Sequence, residues 1–154
     1  MSIVTEKFFN YKSFFIEQIN KMSVTSPNDC RRALASSRES FLQEYRTVIL
    51  NIGRMSGKTT GLLQLGNELS ANEHGVVLLV MNPANKRHVQ NMISYKYHDM
   101  IRIMTPSDIL YDAPQNKFKF LLIDESEFTI KNRRHRHEIY EWAAHRGVEF
   151  IVMT

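Results

Sequence analysis

Residues 47–52, Thr47-Val48-Ile49-Leu50-Asn51-Ile52, are an apolar run that leads directly into Gly53-Arg54-Met55-Ser56-Gly57-Lys58-Thr59-Thr60. A strand feeding a glycine-bearing loop, with Gly-Lys-Thr opening a helix, commits this part of the chain to a strand–loop–helix unit. The physical consequence is an anion site. Successive backbone N–H groups of such a loop point inward, and the helix that follows adds the positive end of its dipole. The polyphosphate of a nucleotide such as ATP is the ligand this arrangement predicts. Gly53, Arg54, Met55, Ser56, Gly57, Lys58, Thr59 and Thr60 would form the cradle. Gly57 leaves room for a phosphate oxygen to approach the backbone, Lys58 would reach the β- and γ-phosphates, and the Thr59 hydroxyl would ligate Mg²⁺.

The loop departs from the usual Gly-x-x-x-x-Gly-Lys-Ser/Thr spacing. Position 52, where the first glycine belongs, is Ile52, and Gly53 stands one residue too close. A second motif supports the assignment: Phe118-Lys119-Phe120-Leu121-Leu122-Ile123-Asp124-Glu125, an apolar strand ending in adjacent carboxylates, the form of a Walker B motif. Neighbouring residues on a strand point to opposite faces, so the two acids cannot share one task. Asp124 is the expected Mg²⁺ ligand, beside Thr59. Glu125 is the expected acceptor of a proton from attacking water or hydroxyl.

The rest of the chain supplies the frame these motifs need. Apolar residues make up 43% and charged residues 23% of the 154, an ordinary globular composition at one-domain length, enough to bury roughly 70% of the unfolded surface. No apolar stretch approaches the ~20 residues that span a bilayer, and the start lacks the order of a signal peptide. Cys30 is the sole cysteine, which excludes a disulfide framework and points to a reducing, cytoplasmic setting. His135 and His137 are two apart and the other histidines scattered, so no zinc spacing emerges. Helices are predicted over ~4–22, ~28–45, ~58–71, ~85–96 and ~132–145, with a turn of helix after Pro106. Trp142 reads as helix packing. Strands are predicted at 47–52, 76–81, 100–105, 117–124 and 148–153. Continuous apolar runs such as Val76-Val77-Leu78-Leu79-Val80-Met81 mark strands buried on both faces. The expectation is an α/β fold: a mostly parallel five-stranded sheet between helical layers, residues 1–154 forming one domain with an N-terminal helical segment (1–45) packed on it. Ligands in such sheets bind at the carboxyl ends of strands.

Asn51-Ile52-Gly53-Arg54-Met55-Ser56-Gly57-Lys58-Thr59-Thr60 resembles the phosphate loop of phage terminase large subunits, the P-loop ATPases that pump DNA into capsids. Those loops carry an arginine three residues before Gly-Lys-Thr, where Arg54 stands, and often lack the first glycine. Asp124-Glu125-Ser126-Glu127-Phe128 is similar to their Asp-Glu-x-x-Phe form of Walker B, and Met104-Thr105-Pro106-Ser107 is similar to a Thr-Pro segment of DEAD-box-like helicases. The resemblance covers ~45 to 154. It implies a viral, Mg²⁺-dependent ATPase acting on DNA in the host cytoplasm, with Arg54 contacting the γ-phosphate or a neighbour and Thr154 sensing it. Terminases continue into a nuclease and helicases into a second lobe, so the expectation is a minimal ATPase core or part of a larger machine. A second resemblance, of Met55-Ser56-Gly57-Lys58-Thr59-Thr60-Gly61 and the Asp124–Val152 stretch, is to thymidine kinases of the RecA-like type. Ile52 and the absence of their paired zinc cysteines depart from that pattern. A nucleotide-binding assembly module that hydrolyses nothing is the third reading.

Net charge is +4, with a concentration of base in Lys131-Asn132-Arg133-Arg134-His135-Arg136-His137. Lys131, Arg133, Arg134 and Arg136 are candidate nucleic-acid contacts. One of these arginines, or one from a partner protein, would otherwise serve as a finger in trans within a homo-oligomer. Lys86, Arg87 and His88 are a lesser candidate patch for the DNA backbone. Gln43 and Tyr45 are the candidates for the adenine pocket.

Overall fold

The computed structural model describes residues 10–24, 37–50, 57–93 and 100–154. In chain order the elements are α1 (Tyr11–Ser23), α2 (Arg38–Tyr45), β1 (Thr47–Ile49), α3 (Lys58–Ala71), β2 (Val76–Leu79) and α4 (Pro83–Met92). There follow β3 (Ile101–Met104), α5 (Pro106–Ile109), β4 (Phe120–Ile123), α6 (Ser126–Thr129), α7 (Arg133–His145) and β5 (Phe150–Met153). The five strands make one sheet in the order β1-β5-β4-β2-β3. Every pairing is parallel.

The continuous apolar runs account for this arrangement. β2, β4 and β5 occupy the interior of the sheet and are buried along their whole length, whereas the edge strands β1 and β3 carry exposed positions. Alternate side chains divide between two cores. Val76, Leu78, Leu122 and Val152 pack under α1, α3 and α4 with Phe15, Leu62 and Leu65. Val77, Leu79, Leu121 and Ile151 pack under α2 and α7 with Leu42, Ile139 and Trp142. Trp142 is thus a packing residue, as its helical spacing predicts.

α1 buries Tyr11, Phe15 and Ile19, one helical face, and lies directly against α3. The crossing is close because of Gly61. A Cβ there would stand 2.3 Å from the Tyr11 Cβ, which no neighbour can accommodate without moving. α2 packs on α7, and the Thr47 hydroxyl at the start of β1 bonds the Tyr140 phenol at 2.8 Å.

Several boundaries differ from expectation, for local reasons. α4 begins at Pro83, because Asn82 caps it by accepting from the Asn85 N–H at 2.9 Å and proline suits the first helical turn. It ends at Met92, since Ile93 is extended. β4 is only Phe120–Ile123: Phe118 donates instead to the Arg146 carbonyl after α7. α6 was not expected at all. Among the described residues no helix is long and apolar enough to cross a membrane.

Candidate functional site

Three chain segments converge at the carboxyl edge of the sheet. The first is the start of α3. Gly57 is its N-cap, with φ +80°, a left-handed conformation that glycine adopts without strain. Its carbonyl accepts from the Gly61 N–H at 2.9 Å, and Lys58 behind it is buried. The second is the end of β4, where the Asp124 N–H still bonds the Leu79 carbonyl at 3.0 Å and so holds the residue in register with β2. The third is the end of β5. Because β5 lies between β1 and β4, the residue that follows it, Thr154, falls between the end of β1 and the Asp124 carboxylate. Thr154 N–H donates to the Ile123 carbonyl at 3.0 Å, and its own carbonyl accepts from Ser126 N–H at 2.7 Å.

The side chains meet on Asp124. Thr59 Oγ1 donates to the carboxylate, 3.1 Å from Oδ1 and 3.0 Å from Oδ2. Thr154 Oγ1 lies 3.3 Å from Oδ1. Thr129 Oγ1 donates to the Asp124 main-chain carbonyl at 2.6 Å, fixing the turn into α6. Asp124 is only 5% exposed. Burial pushes its carboxyl above the usual range; the hydrogen bond from Thr59 opposes this, the charge of Glu125 reinforces it, and Thr154 opposes it again. Among the described residues the carboxylate is held by hydroxyls and backbone N–H, with no ion pair. A buried carboxylate beside a threonine hydroxyl and a second carboxylate is an all-oxygen donor set, which fits a small hard cation such as Mg²⁺.

Glu125 follows in the left-handed region, with φ 49°. The other non-glycine residue there among the described residues, Glu73, sits just past the end of α3, where such geometry closes many helices. Glu125 instead precedes α6, on the turn that presents it to the cavity.

That cavity has a volume of about 420 Å³. Gly57, Lys58, Thr59 and Thr60 form one wall, Asp124 and Glu125 the floor, and Asn85, His88, Val89 and Met92 of α4 the other wall. The structure therefore brings Gly57, Lys58, Thr59, Thr60, Asp124, Glu125 and Thr154 together at one edge. Gly53, Arg54, Met55 and Ser56 lie outside the described residues. The α4 wall was not anticipated as part of this site. The signal was present as the helical spacing of Asn85, His88, Val89 and Met92, which puts them on one face of α4, but His88 read as part of a surface patch.

Other candidates lie elsewhere. Gln43 borders a cavity between α2 and α7 with Glu39, Arg133 and Arg136, and Tyr45 stacks on Phe41; neither lines the phosphate-side cavity. The basic run does not form one patch. Helical turning puts Arg133, Arg136 and His137 on the α2 side, where His137 pairs with Glu39 at 2.5 Å. Lys131, Arg134 and His135 face the α5 side, and Arg134 pairs with Glu138 at 3.1 Å.

No protein-family model and no curated protein matches the sequence. Solved structures do share the fold. The UvsW helicase from bacteriophage T4 matches 77% of this chain at 11% identity with a TM-score of 0.53. A second structure of T4 UvsW matches 75% at 14% identity with a TM-score of 0.56. The chain spans 51% of the first of those chains and 29% of the second. At these identities the likeness is one of fold. The fold is α/β, a five-stranded parallel sheet with flanking helices, and it is shared with these helicase structures.

Proposed function

We propose that this chain is a Mg²⁺-dependent ATPase domain of the terminase/helicase-like class, viral in origin and acting with DNA. The observation that carries the reading is the convergence of Thr59, Asp124 and Thr154 from three segments onto one buried carboxylate. A helix N-terminus and a buried lysine stand on the other side of the same cavity. Lys58 and the N–H groups at the start of α3 bind and orient the triphosphate. Thr59 and Asp124 would hold Mg²⁺, which would supply positive charge to offset that of the bound triphosphate. Glu125 takes the proton of a water whose oxygen bonds the γ-phosphorus, while the bond from that phosphorus to the bridging oxygen breaks and ADP departs. A non-glycine residue kept in the left-handed region beside a metal-ligand candidate is the kind of local strain that functional sites retain. Thr154, bonded to Asp124 and through its carbonyl to α6, is placed to register the γ-phosphate. Arg54 supplies a second cation to it.

The nucleic-acid part of the proposal is supported by the fold shared with a helicase and by the basic run, which offers two candidate faces: Lys131 with Arg134, and Arg133 with Arg136. An arginine of the second face, offered to a neighbouring copy, is the corresponding role in an oligomer.

The test is phosphate release from ATP by the purified chain, with and without single-stranded DNA, beside Lys58→Ala and Glu125→Gln. Lysine-dependent turnover, lost in Glu125→Gln while ATP binding persists, is the expected result. Equal and negligible rates in all three proteins would overturn the ATPase reading and leave a nucleotide-binding module. Phosphate appearing on added thymidine rather than in solution would make it a phosphotransferase.

A further inference from the structure

The groove between α5 and the first turns of α7 combines two kinds of surface that soluble domains usually keep apart. Its cavity measures about 420 Å³. One wall is apolar: Met81 after β2, then Ile109 and Leu110 at the end of α5. The other wall is basic, formed by Lys131, Arg134 and His135. Leu110 is 75% exposed, and Tyr111, the next residue, is 87% exposed. Leu110 stands in water on the groove it shares with three basic side chains, and the tyrosine next to it in the chain is exposed as well, a combination that folding does not call for and that binding can use.

The charges of this wall are available at little cost. Arg134 is tied only at the surface, to Glu138, with its own side chain 88% exposed, and such pairs contribute little. His135, which lines the groove, accepts from the Lys131 N–H through Nδ1 at 3.2 Å, which leaves its Nε2 as the donor. The α7 N-terminus, capped by Asn132, stands at the same place and adds favourable dipole for an anion.

We infer that this groove is a single-stranded nucleic-acid site, taking phosphates on Lys131, Arg134 and His135 and base faces on Leu110 and Tyr111. The inference rests on the reading of the chain as an ATPase acting with nucleic acid, and names the strand form and the face used. A duplex hides its base faces in the stack and offers only backbone and groove edges, so it leaves the apolar wall uncovered. A single strand covers both walls at once, with phosphates giving salt dependence and bases stacking without sequence preference. The cavity on the opposite side of the basic run, where Arg133 and Arg136 face Glu39 and Gln43, has no phenylalanine, tyrosine or tryptophan among its described lining residues.

Fluorescence anisotropy with a labelled oligothymidylate and the full chain tests this. Tyr111→Ala is expected to weaken binding about tenfold, the loss typical of one stacked base, while the salt slope stays at its wild-type value. Lys131→Gln with Arg134→Gln is expected to lower both affinity and slope. Arg133→Gln with Arg136→Gln removes the same charge and is expected to leave the slope unchanged. Circular dichroism confirms that each variant is folded. Equal affinity for a blunt duplex, indifference to Tyr111→Ala, or a slope that falls with the Arg133/Arg136 pair instead would each overturn the site. So would saturable binding of polyglutamate with none of the oligonucleotide, which would make the groove a peptide site. A fluorescent ATP analogue measured on the same proteins separates the two readings. ATP binding without oligonucleotide binding sinks the groove alone, and oligonucleotide binding without ATP binding sinks the phosphate site alone.

Discussion

Two aspartates are buried among the described residues, and they are buried for opposite reasons. Asp112, in the loop after α5, has no exposed side-chain surface. Its carboxylate accepts from Arg146 Nε at 2.6 Å, Asn116 Nδ2 at 2.7 Å and Trp142 Nε1 at 3.3 Å. Arg146 also reaches its main-chain carbonyl at 3.0 Å. Burial alone would raise its pKa, but the hydrogen bonds and charge of Arg146, with Asn116 and Trp142, hold it below the usual range. Asp124 is as deeply buried, yet meets hydroxyls instead of a guanidinium, and is pushed upward. The first site is complete and ties the α5–β4 loop to the end of α7. The second has the acceptors for a cation that the described residues do not supply. A buried charge with its counterion is architecture; one without it marks where a ligand belongs.

The comparison breaks most visibly if each carboxylate is removed. Asp112→Ala leaves Arg146 buried without its partner, and loss of about 3–5 kcal/mol of stability is expected. Urea denaturation measures this, and a loss under about 1 kcal/mol would mean the network is not holding the loop. Asp124→Asn should do the reverse. It removes a charge that burial disfavours, so the midpoint of unfolding stays or rises. The stabilisation that Mg²⁺ with ATP gives the wild type should vanish, as thermal melts with and without the pair would show. A variant still stabilised by Mg²⁺ and ATP would remove Asp124 from the metal site.

pH sharpens the same contrast. Asp112, with its pKa lowered by folding, contributes stability that is present above the ordinary carboxylate value near 3.9 and lost as pH falls through its folded value. Asp124, with its pKa raised, contributes stability that is full below that ordinary value and lost as pH rises through its folded value. Acid unfolding of Asp112→Asn should therefore lose its dependence on the most acidic range, whereas Asp124→Asn should flatten the range just above the ordinary value. If Asp124 holds Mg²⁺ as proposed, only its ionised form can do so, and Mg²⁺ affinity should climb with pH across that upper range and release a proton. An affinity flat across it would show that Asp124 is not the titrating ligand.

The contrast was only half legible in the sequence. Asp124 was found because its neighbours in sequence, an apolar strand before it and Glu125 after it, carry its chemistry, and Thr59 because Gly-Lys-Thr is local. The strands were found because Val76–Leu79, Phe120–Ile123 and Phe150–Met153 are apolar without interruption, the mark of burial on both faces. Asp112 was not singled out, since Arg146 lies 34 residues away and only the packing of α7 brings it there. The α4 wall of the cavity and the division of the basic run between two faces escaped for the same reason: each depends on how a helix is rotated against its neighbours. Alternation along Val76–Leu79 implies two faces, but not which helix covers each.

The smallest expected effect concerns Thr154, which meets the Asp124 carboxylate through a single weak bond. Its hydroxyl is 3.3 Å from Asp124 Oδ1, long for an O–H donor, and its removal should cost about 1 kcal/mol or less. Thr154→Val keeps the shape in a position that is 1% exposed. Because that hydrogen bond favours the charged carboxylate, losing it should raise the Asp124 pKa further and carry the pH dependence of Mg²⁺ affinity to higher pH. Thr154→Ser retains the donor and should restore the wild-type midpoint. Mg²⁺ titrations of nucleotide binding across pH distinguish the two. A Thr154→Val profile that overlays the wild type would mean the hydroxyl does not act on the carboxylate.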